Sequence, residues 1–166
     1  MAAKLTHLDQ QGRLRMVDVG AKDESQRLAR VRGEIHMQPK TLRLIADNKV
    51  TKGNVLEVAR LAGIMAAKRT GELIPLCHPL NLTAVELDFQ LGEDCVSVEA
   101  EARIKARTGV EMEAFTAATV ALLTIYDMCK AVDRGMVITQ VQLIEKRGGK
   151  SGTYLRQQET EETPQK

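Results

Sequence analysis

Two stretches of strict apolar–polar alternation, separated by Gly92-Glu93-Asp94, constrain this chain more than any other feature. Val85, Leu87, Phe89 and Leu91 alternate with Glu86, Asp88 and Gln90. After the turn, Val96, Val98, Ala100, Ala102 and Ile104 keep the same beat. A period of two puts alternate side chains on opposite faces of an extended strand, so the pair reads as a β-hairpin with one buried and one wet face. From Leu28 onward Ala29, Val31, Gly33, Ile35 and Met37 lie opposite Arg30, Arg32, Glu34 and His36, which is a third half-buried strand. A fourth is expected from about Met136 to Glu145.

Helical spacing fills the intervals. Pro39 suits the first turn of a helix whose apolar side is Leu42, Ile45 and Ala46. After Lys52-Gly53, Val55, Val58, Ala59, Ala62 and Met65 predict a second helix to about Arg69. Its small residues Ala62, Gly63, Ala66 and Ala67 allow another element to approach closely. The run LIPLCHPLNL cannot be helical, because Pro75 and Pro79 restrict their own backbone and that of the residues before them. A long helix is expected from about Val110 to Val132, apolar almost all round and therefore buried on several sides.

The order β, αα, β, β, α, β predicts an α+β fold: a ferredoxin-like antiparallel sheet with helices on one face. Residues 1–25 are polar and aperiodic and are expected to form a mobile arm. Residues 26–152 are expected to make one ferredoxin-like domain, which would carry any catalytic site, and residues 153–166 a solvated, disordered tail. Four strands leave edges and an uncovered face, which favours other subunits as cover.

Composition excludes several function classes. Only Phe89, Phe115, Tyr126 and Tyr154 are aromatic, too few for base stacking, so no nucleic acid is expected and an RNA-binding version of this fold is disfavoured. A net charge of +2 argues against a general polyanion surface, so basic residues matter where they converge. Three cysteines without a CxxC pair suit a reducing compartment. The N-terminus MAAKLTHLDQ has no apolar leader, and no uninterrupted apolar run approaches about 18 residues, so a cytoplasmic protein without a membrane partner is expected.

Three segments are polar where the local structure is stiff or buried. The Pro75–Pro79 loop carries Cys77 and His78, and a rigid apolar loop positions an imidazole well for acid–base work; a buried turn with a hydrogen-bonded His78 is the plain alternative. In the long helix, Glu111 and Glu113 sit in the first turn, where the macrodipole favours carboxylates. Asp127 opposes that dipole near the other end, three residues from Lys130: either a simple ion pair or an acid–base pair with shifted pKa values. Basic residues beside glycines, at Lys52-Gly53, Lys68-Arg69, Lys146-Arg147 and Lys150, suit phosphates or simply solvent. Gly149-Lys150-Ser151 is no P-loop, because Ile144 stands where that motif needs glycine and no helix follows. The spacing of Cys77, His78 and Cys129 fits no metal pattern, and neither a metal nor a nucleophilic cysteine is expected.

The runs MVDVGAKDES, KGNVLEVARLAGIMAAKRTGELIPLCHPL, TGVEMEAFTAATVALLTIYDMCKAV and KRGGKSG together resemble the cyclic pyranopterin monophosphate synthase family of molybdenum cofactor biosynthesis, over about residues 5–152. The resemblance implies a lyase acting on a cyclised dihydro-GTP made by an upstream radical SAM GTP cyclase. It implies that pyrophosphate is released and that no cofactor is needed. It implies a homohexamer, a trimer of dimers, with active sites at dimer interfaces. By motif position, Asp127 and Lys130 in YDMCKA fall on the family's catalytic pair, Lys52 on a lysine of the chemistry, and His78 beside them. Leu76, Cys77, His78, Met112 and Glu113, with Glu111, fall on substrate contacts, and Arg27, Lys68 and Lys146 on phosphate- or substrate-facing positions. Asn54 stands where the family usually has Asp, and Phe115 where Leu is usual. A lysine works near neutral pH if a cationic neighbour lowers its pKa, so Lys130 and Lys52 are expected to depress each other, with Asp127 orienting Lys130. The rival reading is a non-catalytic module that holds an anionic nucleotide.

Overall fold

The computed structural model describes residues 11–157. Its elements are β1 Ser25–His36, α1 Pro39–Ala46, α2 Val55–Ala67, α3 Thr70–Leu73, β2 Ala84–Leu91, β3 Cys95–Ala106, α4 Glu111–Cys129, β4 Val137–Arg147 and β5 Tyr154–Leu155. The strands form one antiparallel sheet in the order β2-β3-β1-β4-β5. The four long strands and the αα and α4 crossovers give the expected ferredoxin-like frame.

The alternation decides which face is buried. Ala29, Val31 and Ile35 of β1 and Val96, Val98, Ala100 and Ala102 of β3 are fully enclosed beneath α4, which contributes Ala114, Ala117, Ala118, Ala121, Leu122 and Ile125. Small residues set the layer spacing. A Cβ on Gly63 of α2 would stand 2.8 Å from the Ala117 carbonyl oxygen of α4 and 2.5 Å from Leu87 Cδ2, so only glycine lets these elements touch. Gly33 does the same for Leu122, whose Cδ1 lies 2.8 Å from where a Cβ would be. The other face of the sheet is an ion-pair ladder, in which Arg30 meets Glu99, Glu101 and the buried Glu145.

Local signals place the helices. Pro39 opens α1. The Asn54 side chain caps α2 by accepting from the Glu57 N–H at 3.2 Å, so the departure from Asp keeps the cap. The long helix ends at Cys129, three residues before the expected Val132, because the chain turns tightly there: the N–H groups of Val132 and Asp133 both return to the Cys129 carbonyl. The Asp133 carboxylate then accepts from Gln38 N–H at 2.8 Å, Thr41 Oγ1 at 3.2 Å and Gly135 N–H at 3.1 Å, tying the end of α4 to the start of α1.

Two elements were not expected. The single turn α3 precedes the Pro75–Pro79 loop, and Tyr154 and Leu155 pair with Lys146 and Glu145 as a short fifth strand. The sheet thus reaches into the segment expected as tail; residues 158–166, like residues 1–10 of the expected arm, lie outside the described residues. By composition α4 is long and apolar enough to cross a membrane, yet 56% of that span is packed inside the protein. Its remaining apolar side chains are not enclosed: Leu123 is 52% exposed, on a helical layer that also presents Leu61, Met65 and Leu73.

Candidate active site

The polar segments gather at the two ends of α4. At the C-terminal end, Asp127 Oδ1 lies 2.6 Å from Lys130 Nζ and Oδ2 lies 3.1 Å from Lys52 Nζ. Lys52 also donates to the Asp127 carbonyl oxygen at 2.9 Å. That carbonyl is one of the last in the helix and has no partner within it, so the ammonium group satisfies it and offsets the misplaced acid. Lys52 is brought there by the turn before α2, where Gly53 takes φ +104° and donates to Val50 O.

All three side chains are roughly half exposed. The hydrogen bond from Lys130, then that from Lys52, holds the Asp127 carboxyl below its ordinary value. Lys130 moves the other way: its hydrogen bond to Asp127 pushes the ammonium pKa up. The expected depression of Lys130 is therefore not found in the single chain, because the Asp127 carboxylate stands between it and Lys52. The trio is a cationic clamp with one excess positive charge. The ion pair keeps Lys130 in its ammonium form, a stronger hydrogen-bond donor and a weaker acid for as long as Asp127 stays beside it.

The N-terminal end of α4 borders a cleft of about 290 Å³ lined by Leu76, Cys77, His78, Glu111, Met112 and Glu113. Glu113 is only 3% exposed, and burial pushes its carboxyl pKa up, with Glu111 adding to the rise. Burial and the Glu113 carboxylate likewise raise the Cys77 thiol, which leaves it a poor nucleophile. His78 Nε2 lies 2.9 Å from the Val17 carbonyl oxygen. A carbonyl can only accept, so the neutral ring carries its hydrogen on Nε2 and keeps Nδ1 for another partner.

Of the expected cations, Lys146 reaches a residue of this cleft, and Arg27 lies outside its lining. Lys146 Nζ lies 3.9 Å from Glu111 Oε1 and bonds to Ser151 Oγ, and Arg27 Nε donates to Ala106 O at 3.3 Å. The Arg27 guanidinium lies against Gly149; with Gly148 that residue takes positive φ, and any side chain there would collide with it. Lys68 is exposed at the C-cap of α2 and does not line the cleft.

The expected site residues thus fall into two groups. Sixteen residues of helix separate Glu111 from Asp127, about 24 Å at 1.5 Å per residue. Val17, Val19 and Lys22 also line the cleft, although the polar arm gave them no role. They fall in the run MVDVGAKDES, which carried the resemblance without any residue role, and the two-residue spacing of Val17 and Val19 is too short a pattern to stand out.

Residues 16–149 match the MoaC family. The chain belongs to that family. It is 59% identical over 157 residues to the cyclic pyranopterin monophosphate synthase of Thermomicrobium roseum, covering 93% of this chain and 95% of that protein. The enzymes of the same name from Desulforapulum autotrophicum (60% identical over 152 residues) and Parvibaculum lavamentivorans (59% over 155) are covered to 93% and 97% of their lengths, and 90% and 92% of this chain.

Proposed function

We propose that this chain is a lyase that makes cyclic pyranopterin monophosphate for molybdenum cofactor. Its substrate is the cyclised dihydro-GTP delivered by a radical SAM GTP cyclase, and the reaction takes place in the cytoplasm. The observation that carries this reading is identity of 59% with a named synthase across 93% of the chain, including the segments that build both ends of α4.

The residues divide the work by charge and burial. Lys146, Arg27 and Lys68 take the triphosphate, where fixed cations stabilise negative charge as pyrophosphate departs. Closing the cyclic phosphate requires a hydroxyl oxygen to attack the α-phosphorus, with its proton passing to a base and pyrophosphate leaving. Lys130 and Lys52 supply and receive protons for that step and for the purine rearrangement, Asp127 orients them, and His78 acts through Nδ1. Leu76, Cys77, Met112, Glu111 and Glu113 hold the ring system, Glu113 as a buried carboxyl that fixes its orientation.

One small substrate does not engage both ends of a helix about 24 Å apart. The site is accordingly shared: the cleft of one chain faces the Lys52–Asp127–Lys130 clamp of a second, within a homohexamer built as a trimer of dimers. The exposed apolar face around Leu61, Met65 and Leu123 supports such packing. A second chain also removes water from the clamp, the condition under which one lysine lowers the other's pKa.

Incubating the protein with enzymatically made cyclised dihydro-GTP tests the reaction. Wild type is expected to yield pyranopterin phosphate and pyrophosphate, and Lys130→Ala neither. Substrate binding without product from wild type would sink the reading in favour of an anion-binding module.

A further inference from the structure

The wet face of the sheet is mostly closed by arginine–glutamate pairs: Arg30 with Glu99, Glu101 and Glu145, Arg32 with Glu99, and Arg103 with Glu86 and Glu101. At the end of β1 the chemistry changes. His36 is paired in register with Cys95 of β3, and Glu34 lies two residues back on the same face. His36 Nε2 is 3.3 Å from Glu34 Oε2, and His36 Nδ1 is 3.5 Å from Asp94 Oδ1. Among the described residues neither carboxylate is paired with a lysine or arginine, so this corner gathers donors without a fixed cation.

The donor atoms of Glu34, His36 and Cys95 all lie within 4.8 Å of one another. Bonds of about 2.0–2.3 Å in a tetrahedral zinc site put neighbouring ligand atoms roughly 3.3–3.8 Å apart. The His36–Glu34 spacing already meets that, and small side-chain rotations bring in the sulfur. The backbone beneath is held: Met37 N–H donates to the Asp94 carbonyl and Gly92 N–H to the Cys95 carbonyl, both at 2.8 Å. Asp94, 3.5 Å from the other imidazole nitrogen, is near enough to close onto it, and a carboxylate there orients metal-bound histidines and makes them better donors.

We propose that Glu34, His36 and Cys95 form a binding site for a thiophilic divalent cation of the zinc type, with Asp94 as the outer acceptor and water in the fourth position. Three protein ligands are on one rigid sheet surface and partly open to solvent, so an ion enters without unfolding. The metal takes the thiolate, so the Cys95 thiol gives its proton to the buffer as the sulfur–metal bond forms. The site lies on the opposite face of the sheet from α2 and α4, and the inference stands independently of the proposed reaction.

Cobalt(II), titrated into the purified full chain, tests it through the thiolate-to-cobalt charge-transfer band and the visible bands of tetrahedral cobalt. Wild type is expected to bind a single ion per chain with both signatures, and zinc to displace it. Cys95→Ser removes the charge-transfer band, His36→Ala weakens binding by at least about tenfold, and Asp94→Asn weakens it roughly tenfold. Cys77→Ser leaves the spectrum unchanged. A band that survives Cys95→Ser, one that vanishes with Cys77→Ser, or cobalt retention by wild type no greater than by the His36→Ala, Cys95→Ser double variant would each overturn the site.

Discussion

Replacing Asp133 by asparagine exchanges a charged, almost fully buried hydrogen-bond hub for a neutral one of the same shape. The carboxylate takes Gln38 N–H and the Thr41 hydroxyl on Oδ2 and Gly135 N–H on Oδ1, at 2.8–3.2 Å. Thr41 is fully enclosed and Asp133 is 3% exposed, so water does not replace the lost partner. A hydrogen bond to a charged group contributes about 1.5–3 kcal/mol, and a stranded buried donor costs about 1–3 kcal/mol. The asparagine oxygen keeps one side of the hub while its NH2 faces a donor on the other, which puts the net loss at about 2–4 kcal/mol. For a domain of this size that lowers Tm by roughly 4–16 °C.

The loss should depend on pH in a defined direction. The Gln38 N–H, helped by Gly135 and Thr41, holds the Asp133 carboxyl below its ordinary value. Its contribution is therefore complete above the unfolded aspartate pKa of about 3.9 and disappears as pH falls through the lower folded value. Urea melts of wild type and Asp133→Asn at fixed protomer concentration, at neutral pH and again in acid, read both quantities. A gap below about 1 kcal/mol at neutral pH, or one that widens in acid, would refute the reasoning.

Three further perturbations separate the parts of the account. Gly63→Ala adds a methyl against Leu87 and the Ala117 carbonyl, an overpacking cost of about 1–3 kcal/mol that exceeds the propensity gain of about 1 kcal/mol at most positions; a lowered urea midpoint is expected, and an unchanged or raised one contradicts the close approach of α2 and α4. Asp127→Asn removes the group that raises Lys130, so the Lys130 titration followed by side-chain NMR should move down; no movement would mean that the ion pair is not formed in solution. Nitrogen-15 NMR of the neutral His78 ring should find the hydrogen on Nε2, held by Val17 O, and removal of residues 1–18 should release that preference; a proton on Nδ1 in the full chain would overturn the assignment.

The long strands were legible because alternation survives wherever one face is buried, as from Ala29 to Ile35 and from Val96 to Ala102. Turn chemistry marked α1 through Pro39 and α2 through Lys52-Gly53; the Asn54 cap emerged only with the structure. The missed elements are those with too few residues to carry a period: α3 has one turn, and β5 consists of Tyr154 and Leu155 held by pairing to β4. The end of α4 was misjudged because Ala131 and Val132 continue the apolar pattern, while the stop is set by Asp133 reaching a partner 95 residues away in sequence.

For the site, residue types were readable and their grouping was not. Sequence put Asp127 beside Lys130 by helical spacing, and that contact itself raises Lys130, yet nothing local revealed that Lys52 would bond the opposite carboxylate oxygen. Val17 escaped notice because its contribution is a backbone carbonyl, which any residue could supply. The His36–Cys95 pair depends on strand register across 59 positions, and no local pattern encodes it.

The central claim is that cleft and clamp act on one substrate from two chains. Coexpressing His78→Ala with Lys130→Ala and purifying the mixed oligomers tests it most directly. Each variant alone should be inactive on cyclised dihydro-GTP. Mixed oligomers should regain a clear fraction of wild-type pyranopterin phosphate formation, because some sites pair an intact cleft from one chain with an intact clamp from the other. Mixed oligomers as inactive as the separate variants would contradict a shared site, and full activity from either variant alone would remove its residue from the chemistry.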